Sequence, residues 1–433
     1  MKLLLALAAV LFPTLAEARL GREEQRIVRT FDADAERHVA LLERLVNRNS
    51  GTLNLPGVEA VGQMVRAELE PLGFDVRWLP MAETGRAGHL IATHRGNGRG
   101  RRMLLIGHLD TVFEPDSPFQ VFTREGNRAT GPGIGDDKGG IVVIVAALRA
   151  MHAAGTLAGA DITIVLTGDE ERPGAPLAIA RRDLLEAGRW ADVALEFEGL
   201  AQEDGRDFGT VARRSSTSWT LRATGRTGHS SGVFSDGLGY GAIYELARIL
   251  DGFRRELPEP NLTYNVGVIG GGTPATLDPD GFRIAASGKT NIVAETAIAR
   301  GDIRTLTPEQ ETRVRARMQA IVAQHLPHTG AELVFADDGY PPLPPTPGNR
   351  ALLARLNGVN RDLGLGEMPE YDPAKRGAAD SSFVANDADV LAGMGTAGGL
   401  AHAPGEFILL DSLSRQAKRA AILMTRLSRE RRE

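Results

Sequence analysis

The residues best equipped for chemistry in this chain are imidazoles and carboxylates at the ends of apolar runs. His108 and Asp110 close MLLIGHLDTV, and Asp136 and Asp137 stand in the glycine-broken turn ATGPGIGDDKGG. Glu170 and Glu171 close DITIVLTGDEE, Glu198 closes WADVALEFE, and His402 stands in GTAGGLAHAPGE. Each fragment alone has a bland reading. A His-x-Asp pair is ordinarily surface, consecutive acids are ordinarily solvated, and an acid before a helix is ordinarily its N-cap. In this order, with a carboxylate turn between two ligand-terminated strands, they point instead to a divalent-metal site. His108, Asp136, Glu171, Glu198 and His402 supply five oxygen or nitrogen ligands. If Asp136 bridges two ions, each ion has three protein ligands and keeps an open position. That is the arrangement of catalytic zinc, doubled into a pair about 3.5–4 Å apart. Of Glu170 and Glu171, one can ligate while the other serves as general base toward an attacking water. On an extended strand His108 and Asp110 point to the same side, so Asp110 suits the carboxylate that orients a ligating imidazole.

Positioning these groups requires strands whose ends meet. Glu23–Leu72 carries helical apolar spacing, and Phe74–Pro80 and His89–His94 read as short strands. Met103–Val112, Asp161–Glu171 and Trp190–Glu198 are continuous apolar strands, with a buried helix from Lys138 to about Ala154 between the first two. Strands of this kind alternating with helices predict an α/β fold, a mostly parallel sheet covered on both faces. Functional loops of such sheets gather at the carboxyl ends of the strands. After about Ala212 the pattern changes. An alternating strand at Ser215–Ala223, a helix over 238–256, strands at Tyr264–Gly270 and Lys289–Ile303, and a helix from Pro308 to about Leu326 capped by Thr307 predict a small α+β domain. A proline-rich crossing at 337–348 and helices at about 349–363 and 411–430 return to the first pattern. The organisation expected is a catalytic domain in two parts, 19–212 and 339–433, with 213–338 inserted.

The 433 residues suit two domains, and a net charge of −5 with dispersed Lys and Arg argues against nucleic-acid or membrane-surface binding. Met1–Ala18, MKLLLALAAVLFPTLAEA, has the single Lys, short apolar run and Ala-x-Ala of a cleavable secretory signal. The run is too short for a membrane anchor. The mature protein is therefore expected to be periplasmic or secreted and to begin near Arg19. With no cysteine there are no disulfides and no thiolate ligands.

GHLDTV, GPGIGDDKGG, TGDEE, FEG and HAPGE together resemble the di-zinc amidohydrolase and peptidase family of glutamate carboxypeptidase, succinyl-diaminopimelate desuccinylase and aminoacylase. The resemblance covers nearly the whole mature chain. It implies that His108, Asp136 and Glu198 hold one zinc and that Asp136, Glu171 and His402 hold the other. It makes Glu170 the general base and Asp110 the support of His108, and makes the insertion a lid and dimerisation domain. GRTGHSS resembles the family's lid histidine motif, which places His229 near a partner's active site as oxyanion support. TNIVAE and RGDIRT resemble its asparagine and arginine motifs, so Asn291 and Arg304 are expected to bind substrate amide or carboxylate. The implied protein is a homodimeric hydrolase with two zinc ions per chain (cobalt or manganese being chemically admissible). Its substrate is a small peptide or N-acyl amino acid. The expected activity is that of an exopeptidase or dipeptidase. The alternatives are an N-acyl amino acid deacylase, a di-zinc aminopeptidase of the single-domain kind, and a non-catalytic metal- or ligand-binding homologue. The insertion argues against the aminopeptidase, and the intact Glu170 with a complete ligand set argues against the binding protein.

Overall fold

A computed structural model describes residues 20–337 and 339–432. The expected signal segment, Met1–Ala18, lies outside the described residues. The first helices are Arg22–Ala33, Ala35–Val46 and Leu55–Leu69. Their apolar stripes, including Ile27, Phe31, Leu41, Leu45, Val61 and Val65, enter one core with the helix Gly139–Ala154. The third is capped by Asn54, whose side chain accepts from Gly57 N, and Pro56 sits in its first turn where a missing N–H costs nothing.

The central sheet has the strand order Asp75–Pro80, Gly88–His94, Ile162–Thr167, Met103–His108, Val193–Glu196, Asp389–Leu391. The last four run parallel, and the first two join antiparallel at one edge. Met103–His108 and Ile162–Thr167 are buried at every position, the pattern of strands covered on both faces. Gly139–Ala154 is apolar nearly all round because it packs between the Arg22–Ala33 helix and the closing helix Leu410–Leu427. The pairing of Asp389–Leu391 with Val193–Glu196 means that the last part of the chain completes the sheet begun by the first. This is the expected fold class, a mostly parallel sheet flanked by helices.

A second sheet, antiparallel throughout, has the order Thr263–Gly272, Thr296–Arg304, Thr217–Gly225, Thr329–Phe335. Helices Gly241–Glu256 and Pro308–Val322 join it in a core built on Trp219, Phe253 and Met318. Three details differ from the sequence expectation. A hairpin, Ala275–Leu277 with Ile284–Ala286, lies between Thr263–Gly272 and Thr296–Arg304 where only a GGGTP turn was expected. Its turn is made by Asp278, whose carboxylate accepts from Phe282 N (2.8 Å) and Arg283 N (3.1 Å), with Gly281 at positive φ. The strand expected from Lys289 begins only at Thr296, and Thr329–Phe335 adds an edge strand whose TGAELVF pattern alternates too weakly to be recognised.

Candidate metal centre

His108, Glu171 and Glu198 stand at or just beyond the ends of parallel strands, whereas Asp136 and His402 follow short strands of an antiparallel sheet, Arg128–Thr130 and Gly398–Gly399. Met103–His108 stops at His108, so Asp110 lies on the loop beyond and strand alternation does not place it. Its neighbours do. The buried carboxylate of Asp110 accepts from Thr52 Oγ1 (2.7 Å), Glu170 N (3.0 Å) and Glu171 N (3.2 Å). Its Oδ1 lies 3.4 Å from His108 Nδ1. Burial alone would raise its pKa, yet His108 and these donors hold it below the usual carboxylate range. His108 Nδ1 lies nearer still, at 3.1 Å, to the main-chain oxygen of Asp110, while the Asp110 carboxylate ties down the loop that bears both glutamates.

Asp136 and Asp137 are non-helical, and the peptide between them is cis. Neither caps the following helix, which corrects the bland reading of both. The turn is held by Glu406, whose carboxylate accepts from Gly133 N (3.0 Å), Gly135 N (2.7 Å) and Asp136 N (3.0 Å). Asp137 is fully buried and accepts from His108 N at 3.3 Å. Its other oxygen approaches Gly140 so closely that a Cβ there would lie 2.1 Å away. A helix start bearing any larger residue would collide with it.

Asp136 divides its two oxygens between two imidazoles. Oδ1 lies 2.9 Å from His108 Nε2, and Oδ2 lies 3.0 Å from His402 Nε2. His402 Nε2 is also 3.2 Å from Glu171 Oε2. His402 sits at φ 65°, a left-handed conformation that costs a non-glycine residue energy and is typical of functional positions. Glu170 and Glu198 complete the cluster. Ligand-type atoms of His108, Glu170 and Glu198, and of His108, Asp136 and Glu171, lie within 4.8 Å of one another.

These side chains fit a divalent cation. Half-buried carboxylates converge beside His108, and Glu171 Oε1 has no hydrogen-bond partner among the described residues. Burial pushes Glu198 up to about 8, with Glu196 and Asp136 adding to the rise and Arg213 opposing it. Burial, then the charge of Glu198, pushes Glu170 well up as well. His402 is raised to about 11 by its bonds to Asp136 and Glu171. A divalent cation would offset the carboxylate charge gathered here, and the donors are all oxygen or imidazole nitrogen.

The model of peptidase family M20/M25/M40 matches residues 104–426. The chain belongs to that family. Carboxypeptidase G2 of Pseudomonas sp. is 34% identical over 46% of this chain and 48% of its own length, so the chain aligns with about half of that relative. Succinyl-diaminopimelate desuccinylase of Gluconobacter oxydans is 26% identical over 89% of this chain and 95% of its own. Aminopeptidase PepT of Bacillus cereus superposes with a TM-score of 0.72 at 17% identity, covering 91% of this chain and 99% of that one. A Bacillus subtilis protein described as a dinuclear metal binding peptidase of the M20 family superposes at 0.64 with 15% identity, covering 92% and 99%. The expected M20-type catalytic fold is thus the one found.

Around this M20 centre the structure adds residues that no sequence pattern singled out. Arg213 Nη2 meets Glu198 at 2.7 Å and Glu196 at 2.5 Å, and Ser381 donates to Glu196 at 2.7 Å. Asp380 accepts from Thr167 Oγ1 (2.6 Å) and Arg181 Nε (2.8 Å). Arg181 also pairs with Asp169 (2.6 Å) and donates to the Tyr340 hydroxyl (2.8 Å). The family's HAPGE motif already contained Glu406, but nothing local marked it as the clamp of a distant turn.

The inserted-segment residues stand apart from the centre. Ser230 N donates to Asn291 O (2.9 Å), and His229 bridges to Ile292, so His229 and Asn291 are neighbours. Arg304 Nε donates to Asp302 at 2.9 Å. None of the three lines the cavity of about 310 Å³ walled by Asp136, Glu170, Glu198 and His402.

Proposed function

We propose that this chain is a periplasmic or secreted di-zinc hydrolase that cleaves an amide bond in a small substrate bearing a free carboxylate. The observation that carries this reading is the division of Asp136 between His108 and His402, with Glu170 beside them on the wall of a cavity of small-ligand size. His108, Asp136 and Glu198 would hold one ion, and Asp136, Glu171 and His402 the other. Two such ions, when bound, supply a Lewis acid for the carbonyl and lower the pKa of an attacking water. Glu170 removes the proton from that water and returns it to the leaving amine. Burial and the charge of Glu198 raise its affinity for a proton, which suits a group that takes one from water. His229, acting from a partner subunit, supports the oxyanion. Asn291 and Arg304 grip the substrate when the inserted domain closes.

Within this reading an exopeptidase or dipeptidase comes first. A deacylase is the second reading, favoured by the near full-length match to a succinyl-diaminopimelate desuccinylase. The test is metal content of the purified protein coupled to a hydrolysis screen of dipeptides and N-acyl amino acids, with and without chelator. About two ions per chain and chelator-sensitive cleavage are expected. Bound metal without cleavage of any amide would overturn the enzyme reading. Terminal sequencing of the exported protein should begin near Arg19, and a fully active monomer would remove the cross-subunit role of His229.

A further inference from the structure

Three cations line the catalytic cavity: Arg213, Lys375 and Arg376. Two of them are committed elsewhere. Arg213 is spent on Glu196 and Glu198, with Nη1 donating to Gly377 O (3.1 Å). Lys375 is paired with Glu203 at 2.5 Å. Arg376 is different. Its Nη2 donates to Gly199 O (3.0 Å), while Nε is buried with no acceptor, and Nη1 has none either among the described residues. Among the described residues no carboxylate comes within ion-pair distance of this half-buried guanidinium, although such groups are ordinarily matched by one. Burial, then the charge of Arg213, holds its pKa down to about 10 against the opposing charges of Glu198, Glu196 and Asp136, none of which reaches it as an ion pair. The same wall ends at the metal ligands Asp136, Glu198 and His402. A small substrate with its amide at the metal centre therefore brings its next functional group toward Arg376.

We propose that Arg376 is the anion anchor of this cavity and determines specificity for a substrate whose acyl side carries a carboxylate. This rests on the amide-hydrolase reading above, in which Arg304 serves the carboxylate on the amine side from the inserted domain. Arg376 lies on the catalytic domain and lines the cavity, whereas Arg304 does neither. In this arrangement the two arginines serve different anionic groups of the substrate. A guanidinium suits this task because its planar fork can take both carboxylate oxygens at once.

The test compares Glu-Ala with Gln-Ala, and Ala-Glu with Ala-Gln, as substrates of the zinc-loaded enzyme. Each pair differs only by a carboxylate and a carboxamide. The wild type should favour Glu-Ala over Gln-Ala by about 10- to 100-fold in kcat/KM, the range of a charge-assisted hydrogen bond. Arg376→Gln should abolish that preference and leave the ratio within the Ala-Glu pair unchanged, and Arg376→Lys should restore part of it. Binding of glutarate and of butyrate to the zinc-loaded protein, followed by calorimetry, supplies a readout independent of turnover. Glutarate should bind the wild type at least about tenfold more tightly than Arg376→Gln, with butyrate indifferent to the change. An unchanged preference and unchanged glutarate affinity in Arg376→Gln would overturn the inference while leaving the hydrolase reading intact. Absence of all cleavage with the glutarate difference present would sink the hydrolase reading and keep the anion site.

Discussion

The hydroxyl of Tyr340 donates to the main-chain carbonyl of Glu170 at 3.0 Å, joining the proline-rich return crossing to the loop that carries the proposed base. The same hydroxyl accepts from Arg181, which in turn is paired with Asp169 and Asp380. Tyr340→Phe keeps the edge-on ring contact with Phe383 and deletes only the hydroxyl. We expect kcat to fall several-fold with KM little changed, and stability to fall by about 1–3 kcal/mol for the buried groups left unpaired. Denaturant unfolding and steady-state kinetics check both. Lost stability with unchanged kcat would mean that Tyr340 braces the fold without positioning Glu170.

Glu170→Gln separates base from ligand. Loss of a general base costs about 10²- to 10⁴-fold in rate, whereas loss of a metal ligand empties a site. Glu170 lies in the same tight group as His108 and Glu198, so geometry alone allows either role. The expected result is a kcat reduced by that factor with metal stoichiometry unchanged by elemental analysis. A variant that loses an ion would assign Glu170 to coordination instead.

The groups that the sequence exposes and those it hides divide on a physical line. His108, Asp136, Glu171, Glu198 and His402 each sit in a local run, an apolar strand or a glycine turn, whose pattern says where the chain stops and what it presents. Asp110 was legible as a partner of His108 but not as a clamp, because its contacts to Thr52, Glu170 and Glu171 are long-range. Arg213, Arg181, Tyr340 and Arg376 have no local pattern at all. Tyr340 and Glu170 are 170 residues apart, and only the folded chain makes them neighbours. The parallel sheet was readable from its unbroken apolar strands. The edge strand Thr329–Phe335 and the hairpin at 275–286 were not, since half-exposed strands carry weaker patterns.

Glu406 offers a test of coupling between the loops that carry His402 and Asp136. It lies four residues after His402 and grips the Asp136 turn through three N–H groups. In Glu406→Gln one oxygen becomes an amide NH₂ that faces a donor instead of accepting from it. Metal affinity should fall by about 10- to 100-fold, as when supporting groups of a metal site are removed. Competition with a chelator of known affinity reads this directly, and far-ultraviolet circular dichroism should remain that of the wild type. Unaltered affinity would show that the turn holds its shape without the clamp.

The pH response of the metal-free protein follows from Glu198. Burial raises its pKa in the folded state to about 8, above the ordinary value of 4.5. The folded state therefore holds a proton that the unfolded state has released over that interval. Its contribution to stability is fully present below about pH 4.5 and is lost as pH rises through about 8. His402, raised from 6.5 to about 11, acts in the same direction above neutrality. Asp136 is shifted the opposite way from 3.8, so its contribution is already complete before this window opens. In chelator, the thermal midpoint should decline between about pH 5 and 8, and Glu198→Gln should flatten the decline. Zinc should reverse it, because a bound cation replaces those protons and stabilises the ionised carboxylates. A chelated protein whose midpoint rises across this range would contradict the assignment of Glu198 to the buried cluster.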